Sequence, residues 1–170
     1  MTAESIPDIQ TDKVEHAIRH MKKDRAPGED QINVDTLRLA GRETTKHLAK
    51  LFNKCLQNRQ SPKAWNNAII VLLHKKGDKM EIGNYRPISL ISHISKLFTK
   101  VIKNRIESQL DSNQSREQAG FRRGYSTSDH LQVVTQIIEK CNEYQLPLCL
   151  VFVDCEKVFD LVEHHEIQMH

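Results

Sequence analysis

An acidic residue at the end of an apolar run is the first feature of the chain that can do chemistry. Residues 148–153 are all apolar, and Asp154 follows them directly. If this run forms a buried strand, Asp154 stands at its open end, where a carboxylate can hold Mg²⁺ for phosphoryl or nucleotidyl transfer. Many strands also end in aspartate as a turn residue, so a structural role stays open. Phe159, five residues further on, suits a core position or a substrate contact.

A second group of candidates is cationic and surrounds a turn. Lys75 and Lys76 precede Gly77-Asp78, and Arg86 follows on what reads as a returning strand. Ammonium groups and a planar guanidinium that face one another across a hairpin suit a triphosphate. A solvent-exposed loop that is basic for solubility explains the same residues.

A third group lies in a glycine-containing loop that joins two predicted helices. Its candidates are Gln118, Gly120, Phe121, Arg122 and Arg123. Glycine lets such a loop approach a nucleic-acid backbone closely, with arginines on phosphates and rings available for stacking. A simple connector is the alternative.

The composition of the chain fits a protein with a core and a polyanionic partner. The 170 residues are 38% hydrophobic and 28% charged, with a net charge of +3. Residues 61–130 hold twelve Lys and Arg against six Asp and Glu. A basic middle favours nucleic acid, although a solvated lysine-rich surface gives the same count.

The cysteines and the apolar segments indicate a compartment. None of the four cysteines forms a Cys-x-x-Cys pair, and most lie among apolar residues, which favours buried free thiols in a reducing environment. No segment reaches the roughly 18 apolar residues needed to span a bilayer, and the N-terminus lacks the apolar core of a signal peptide. We expect an intracellular protein, nuclear or cytoplasmic, without a membrane partner. Nothing in the sequence predicts an obligate oligomer.

Hydrophobic periodicity predicts the elements that must position these candidates. Helices are expected over 12–22, 34–40, 43–59, 93–110 and 128–143. Strands are expected over 68–73, 85–90 and 148–153, the first two as a hairpin in which Pro87 marks an unpaired edge or a bulge. This order predicts an α+β fold.

Details of two helices can be predicted as well. Asp12 with Glu15 forms a capping-box pattern at the start of the first helix, and Ser126 and Ser128 can cap the last one. The inward face of the last helix is expected to carry four apolar residues, namely Leu131, Val134, Ile138 and Cys141.

Five strings in this order resemble the reverse transcriptase domain of non-LTR (LINE-type) retrotransposons, in the branch that encodes an endonuclease followed by a polymerase. The resemblance runs from about residue 6 to residue 166 and rests on their order and spacing. The strings are Arg25–Ile32, Lys75–Asp78, Asn84–Leu90, Gln118–Thr127 and Phe152–Asp160.

The resemblance implies a fold and a division of the chain. Residues 1–60 resemble a helical N-terminal extension that also handles template RNA, residues 61–146 the fingers, and residues 147–170 the start of the palm. Helices packed around a β-hairpin and one palm strand would form an incomplete right-hand polymerase fold.

The resemblance also implies roles near the C-terminus. Asp154 looks like the first of the acids that bind two Mg²⁺ ions. Phe159 resembles the aromatic gate that closes under the deoxyribose and excludes a ribose 2′-hydroxyl. Val158 stands where the backbone approaches the triphosphate, and it replaces the alanine usual in the family, so we expect crowding there. Cys155 replaces a phenylalanine.

The remaining candidates resemble the other half of a polymerase site. Lys75 or Lys76 with Arg86 looks like the fingertip cluster that grips a deoxynucleoside triphosphate, and Arg122 with its neighbours looks like the loop that lines the template pocket. RNA template and DNA primer are the implied partners. The hairpin, the loop and Asp154 are expected to face a common cleft.

One departure from the family limits the expected activity. The second acidic motif of the family carries paired aspartates, and no Asp-Asp pair occurs in this sequence, which stops ten residues after Asp160. We therefore expect that the chain alone does not polymerise. A non-catalytic RNA-binding remnant and a decayed retroelement copy are the alternatives.

Overall fold

Amphipathic stripes mark the helices and an apolar run marks the first strand in the computed structural model. The structure describes residues 6–115, 117–120, 122 and 124–154. Two compact units divide the chain at Asn113. The first contains α1 (Thr11–Arg19), α2 (Val34–Leu39), α3 (Gly41–Asn58), β1 (Ala68–His74), β2 (Tyr85–Ile91) and α4 (His93–Asn113); the second contains α5 (Thr127–Glu143). The five predicted helices and the hairpin are confirmed.

The core of the first unit is made by the apolar stripes of its helices. Phe52 of α3 is fully buried, and its ring centroid lies 5.2 Å from that of Phe98 and 6.2 Å from that of Trp65. Burial of such a ring stabilises the fold by about 1.5–3 kcal/mol. The buried members of this core are Ile9, Val14, Ala17, Ile18, Leu37, Leu48, Ala49, Phe52, Leu97 and Val101.

Two cations hold the C-terminal end of α1 against neighbouring helices. Lys100 Nζ donates to the carbonyl oxygen of His20 at 2.7 Å, and Arg38 Nη2 donates to those of Arg19 and Met21 at 2.8 Å. The last carbonyls of a helix lack intrahelical partners and carry partial negative charge. These bonds therefore satisfy α1 while tying it to α2 and α4.

The helix starts agree with the sequence in one of two cases. The first helix begins after Gln10, which makes no side-chain cap, so the predicted Asp12 capping box is wrong. Asp12 instead lies in the first turn of α1, where its negative charge interacts favourably with the helix dipole. At α5 the cap is Ser126, and Ser128 lies inside the helix: the Ser126 side chain accepts from the Asp129 amide, and Asp129 Oδ2 accepts from the Ser126 amide at 2.7 Å.

The hairpin pairs residue for residue without a bulge. The register runs from Ala68 opposite Ile91 to His74 opposite Tyr85. Pro87 lies opposite Leu72, in a sheet of two strands among the described residues. The edge alternative for Pro87 is therefore the correct one, because proline is tolerated where a strand has no outer neighbour.

The second unit departs from two predictions. The described part of α5 buries no residue, and Leu131 is 63% exposed, so the expected inward face is wrong. Periodicity places apolar residues on one face but does not supply a layer to cover it. Residues 148–153 form no strand, because no described segment pairs with them, and Phe152 is 82% exposed.

The described residues define the fold class, the burial of three cysteines and whether any helix could cross a membrane. The chain is a mixed helix and strand protein with a two-stranded antiparallel sheet, while the palm and the right-hand arrangement stay predictions. Cys55 is buried, Cys141 is half-buried and Cys149 is exposed, so the expectation of buried thiols is right for Cys55 and wrong for Cys149. Within these residues, no helix is both long and apolar enough to cross a bilayer.

Candidate functional site

The tip of the hairpin is an ordered turn that requires glycine. Gly77 has φ +89°, and a Cβ at this position would lie 2.8 Å from Asn84 Nδ2. The same amide donates to the Asp78 carbonyl oxygen at 2.9 Å, and Asp78 Oδ1 accepts from the Met80 amide at 2.9 Å. Positive φ favours glycine strongly. These contacts fix the conformation of the turn, and they therefore fix the position of the backbone at Lys75 and Lys76, which follow β1 directly.

The strand register brings the predicted cations of the hairpin together. The Lys75 amide donates to the Asn84 carbonyl oxygen at 2.8 Å, which extends the ladder past the end of β1. Since Arg86 lies opposite Leu73, strand alternation puts Lys75 and Arg86 on one face as diagonal neighbours, with Cβ atoms about 7 Å apart. Lys76 follows in the turn. All three side chains are exposed and can meet a polyanion.

Two aromatic residues support the tip from the other face of the hairpin. The rings of His74 and Tyr85 meet edge to face with centroids 5.2 Å apart. The Tyr85 hydroxyl donates to the Lys79 carbonyl oxygen at 3.0 Å, and His74 Nε2 lies 3.2 Å from the Gly77 carbonyl oxygen. These contacts cross-link the turn, so the cationic face is built on a braced scaffold.

In the second unit, Arg122 braces its own loop. Its Nη1 donates to the Ser115 carbonyl oxygen at 2.8 Å, and its guanidinium carbon lies 4.5 Å from the centroid of Tyr125. Gln118 Nε2 donates to the Gly120 carbonyl oxygen at 3.2 Å. Arg122 thus has a structural role in addition to the predicted contact with nucleic acid. Of the other candidates in this loop, Phe121 and Arg123 lie outside the described residues.

Asp154 is exposed and lies at the end of the described chain. Among the described residues, no group of three or more His, Cys, Asp or Glu side chains is placed to hold a metal ion. Two-metal catalysis needs several carboxylates around ions about 3.5–4 Å apart, and Asp154 supplies one. The described residues therefore do not fit a complete magnesium centre. Val158 and Phe159 lie outside them.

The candidates fall in different units. Lys75, Lys76 and Arg86 belong to the first unit, and Arg122 and Asp154 belong to the second. The fingertip cluster is therefore a local feature of one hairpin, while the expected common cleft stays a prediction.

Sequence reasoning missed an arginine-lined cavity of about 440 Å³ in the first unit, called here the arginine cavity. It lies among α1, α2 and α3. Arg38 Nε is buried there without a hydrogen-bond partner among the described residues. Its arginines come from three different helices, with Arg19 on α1, Arg38 on α2 and Arg42 on α3, so no local spacing in the sequence signals it. The lining residues are Glu15, Ile18, Arg19, Leu37, Arg38, Gly41, Arg42 and Thr45.

Comparison with known proteins agrees with the hairpin and the motif strings. Residues 73–169 match the family model described as reverse transcriptase (RNA-dependent DNA polymerase). The chain is 32% identical, over 94% of its length, to the probable RNA-directed DNA polymerase from transposon BS of Drosophila melanogaster. It is 30% identical, over 92% of its length, to the RNA-directed DNA polymerase from mobile element jockey of the same organism. These alignments span 18% and 17% of the two relatives.

The chain belongs to the reverse transcriptase family. Within that family its relatives are polymerases of non-LTR retrotransposons, and they include the Pol polyprotein of the type-1 element R1 of Bradysia coprophila, at 29% identity over 91% of the chain and 15% of the relative. The predicted resemblance is thereby confirmed.

Proposed function

We propose that the hairpin is the part of an RNA-directed DNA polymerase that grips the incoming deoxynucleoside triphosphate. The observation that carries this proposal is the strand register, which sets Lys75 and Arg86 side by side on one exposed face next to Lys76. A guanidinium can donate to two phosphate oxygens at once, and the two ammonium groups add charge without fixed geometry. The braced turn keeps these groups at one end of the hairpin.

The remaining roles in this proposal follow the family. Asp154 acts as the first of the acids that hold Mg²⁺, Val158 lies along the triphosphate, and Phe159 excludes a ribose 2′-hydroxyl. Family membership over residues 73–169 supports these assignments. The proposal concerns binding of the triphosphate and not turnover.

Titration with a fluorescent deoxynucleoside triphosphate tests the grip. Loss of a charge-assisted hydrogen bond at an exposed site costs about 1.5 kcal/mol, so Arg86→Ala should weaken binding roughly tenfold. Lys75→Ala should weaken it less, since an ammonium acts as a point charge. Lys103→Ala is the matched control, because Lys103 is an exposed cation 3.6 Å from Glu107 on α4. Equal losses in Arg86→Ala and Lys103→Ala would contradict the proposal.

We also propose that the chain contacts template RNA through two basic surfaces. One is the loop with Gln118, Gly120, Phe121, Arg122 and Arg123, which is supported by the stacking of Arg122 on Tyr125. The other is the arginine cavity in the N-terminal extension, where three arginines surround one glutamate. Arginine fits this role because its planar fork matches phosphate oxygens.

Binding of a short single-stranded RNA, measured at several salt concentrations, tests this second part. Each lost phosphate contact should reduce the slope of log K against log salt by about 0.7. We expect that reduction for Arg42→Ala and for Arg122→Ala. Lys46→Ala is the control, because this neighbouring lysine already pairs with Glu43 at 2.6 Å. Binding that does not change with salt would rule out phosphate contacts.

A further inference from the structure

The string Arg25–Ile32 has no role in the proposed function, yet the structure places it against the base of the hairpin. Gly28 is buried there. A Cβ at this position would lie 2.6 Å from the Ser92 amide nitrogen and 2.7 Å from the Ile91 carbonyl carbon. Contacts below 3.0 Å essentially never occur for real side chains. Glycine is therefore required because the backbone at the end of β2 passes directly over it.

Asp30 adds a polar link at the same point. Its Oδ2 accepts from the Ser92 hydroxyl at 2.6 Å, and its Oδ1 accepts from the Ile32 amide at 3.2 Å. Ser92 Oγ in turn accepts from the Ile94 amide at 3.1 Å, in the first turn of α4. The Ser92 side chain therefore caps α4, and the Asp30 charge lies where the helix dipole favours an anion.

Two further bonds involve residues that lie just outside the two strands, His93 after β2 and Asn67 before β1. His93, which is 1% exposed, places Nδ1 2.8 Å from the Ile32 carbonyl oxygen. On the other side, Asn67 Nδ2 donates to Glu29 Oε2 at 2.8 Å. Asn67 precedes β1 and Ser92 follows β2, so residues 28–32 hold both ends of the hairpin. We call this segment the hairpin clamp.

Side-chain packing does little to fix the direction of the hairpin. All seven residues of β1 are exposed, with Ile70 at 56% and Leu72 at 51%, and β2 is half-buried only at Tyr85, Leu90 and Ile91. A two-stranded ribbon without a covering layer is held by its ladder and its turn, and neither of these sets its angle to the helices. Among the described residues, the hairpin clamp makes polar contacts that can set this angle.

We infer that Gly28 and Asp30 are positioning residues, which set the direction of the hairpin through Ser92. They thereby set where the hairpin cations hold a bound ligand. That the hairpin cations bind a triphosphate rests on the proposed function. The direction of the hairpin does not, and it can be measured without any nucleotide.

Amide residual dipolar couplings measure that direction within the first unit. In the wild-type chain, amides of the hairpin and of α1 and α3 should fit one alignment tensor. In Asp30→Asn and Gly28→Ala, the hairpin couplings should fall by at least roughly 15%, the change from rigid to flexible backbone order, while those of α1 and α3 stay unchanged. Asp12→Asn is the control, because Asp12 is an acid at the start of α1, as the Asp30 carboxylate is at the start of α4.

A second readout separates the clamp from the triphosphate grip. Because the tip turn is built from its own contacts, affinity for the fluorescent triphosphate should stay within about twofold in Asp30→Asn. Hairpin couplings that stay unchanged in a folded Asp30→Asn chain would overturn the inference, and so would hairpin couplings that fall equally in Asp12→Asn. Absence of triphosphate binding in the wild type would instead count against the proposed function alone.

Discussion

The helices of the first unit and the hairpin that follows them treat their apolar side chains in opposite ways. Phe52 and Leu97 of the helices have no exposed surface, whereas Leu72 of β1 is 51% exposed. The helices cover one another's stripes, while all of β1 and the middle of β2 are exposed. The helical part therefore carries the stability of the unit, and the hairpin keeps its shape through its ladder, its turn and the clamp.

The same contrast separates α3 from α5. The third helix buries five residues, and the described part of α5 buries none. Both have apolar residues at helical spacing, so periodicity predicts that a helix forms but does not reveal whether a partner covers it.

The largest expected effect lies in the helical core. Phe52→Ala removes a ring that contacts Phe98 and Trp65, so the free energy of unfolding should fall by about 3–5 kcal/mol. Chemical denaturation followed by circular dichroism measures this loss. A loss below about 1 kcal/mol would show that the helices do not hold the unit together.

A smaller effect is expected in the hairpin for a substitution of similar chemistry. Leu72→Ala removes a side chain that is half exposed, so the same denaturation experiment should show a loss of about 1 kcal/mol or less. If Leu72→Ala lowers the free energy of unfolding as much as Phe52→Ala does, the hairpin is part of the core and does not differ from the helices in this way.

Much of the fold follows from local sequence. The helix predicted over 43–59 is Gly41–Asn58, the apolar run 68–73 located β1, and the turn residues that follow located the returning strand β2. Residues 148–153 were predicted wrongly as a strand, because apolar composition reports strand propensity and pairing requires a neighbour. The capping pattern at Asp12 failed because a three-residue spacing also fits positions inside the first turn.

The candidate site divides in the same way. The neighbourhood of Lys75 and Arg86 was predictable, since a hairpin brings residues close in sequence face to face. The arginine cavity and the clamp were not, because they join distant segments; Asp30 and Ser92 are 62 residues apart. Such contacts depend on how helices pack, which no local pattern of one sequence encodes.

Amide chemical-shift mapping during titration with a deoxynucleoside triphosphate tests the central claim most directly, because it shows where on the chain the ligand binds. The largest shifts should occur at Lys75, Lys76 and Arg86, and they should be lost in Arg86→Ala. Shifts centred on the arginine cavity, with the hairpin amides unchanged, would contradict it.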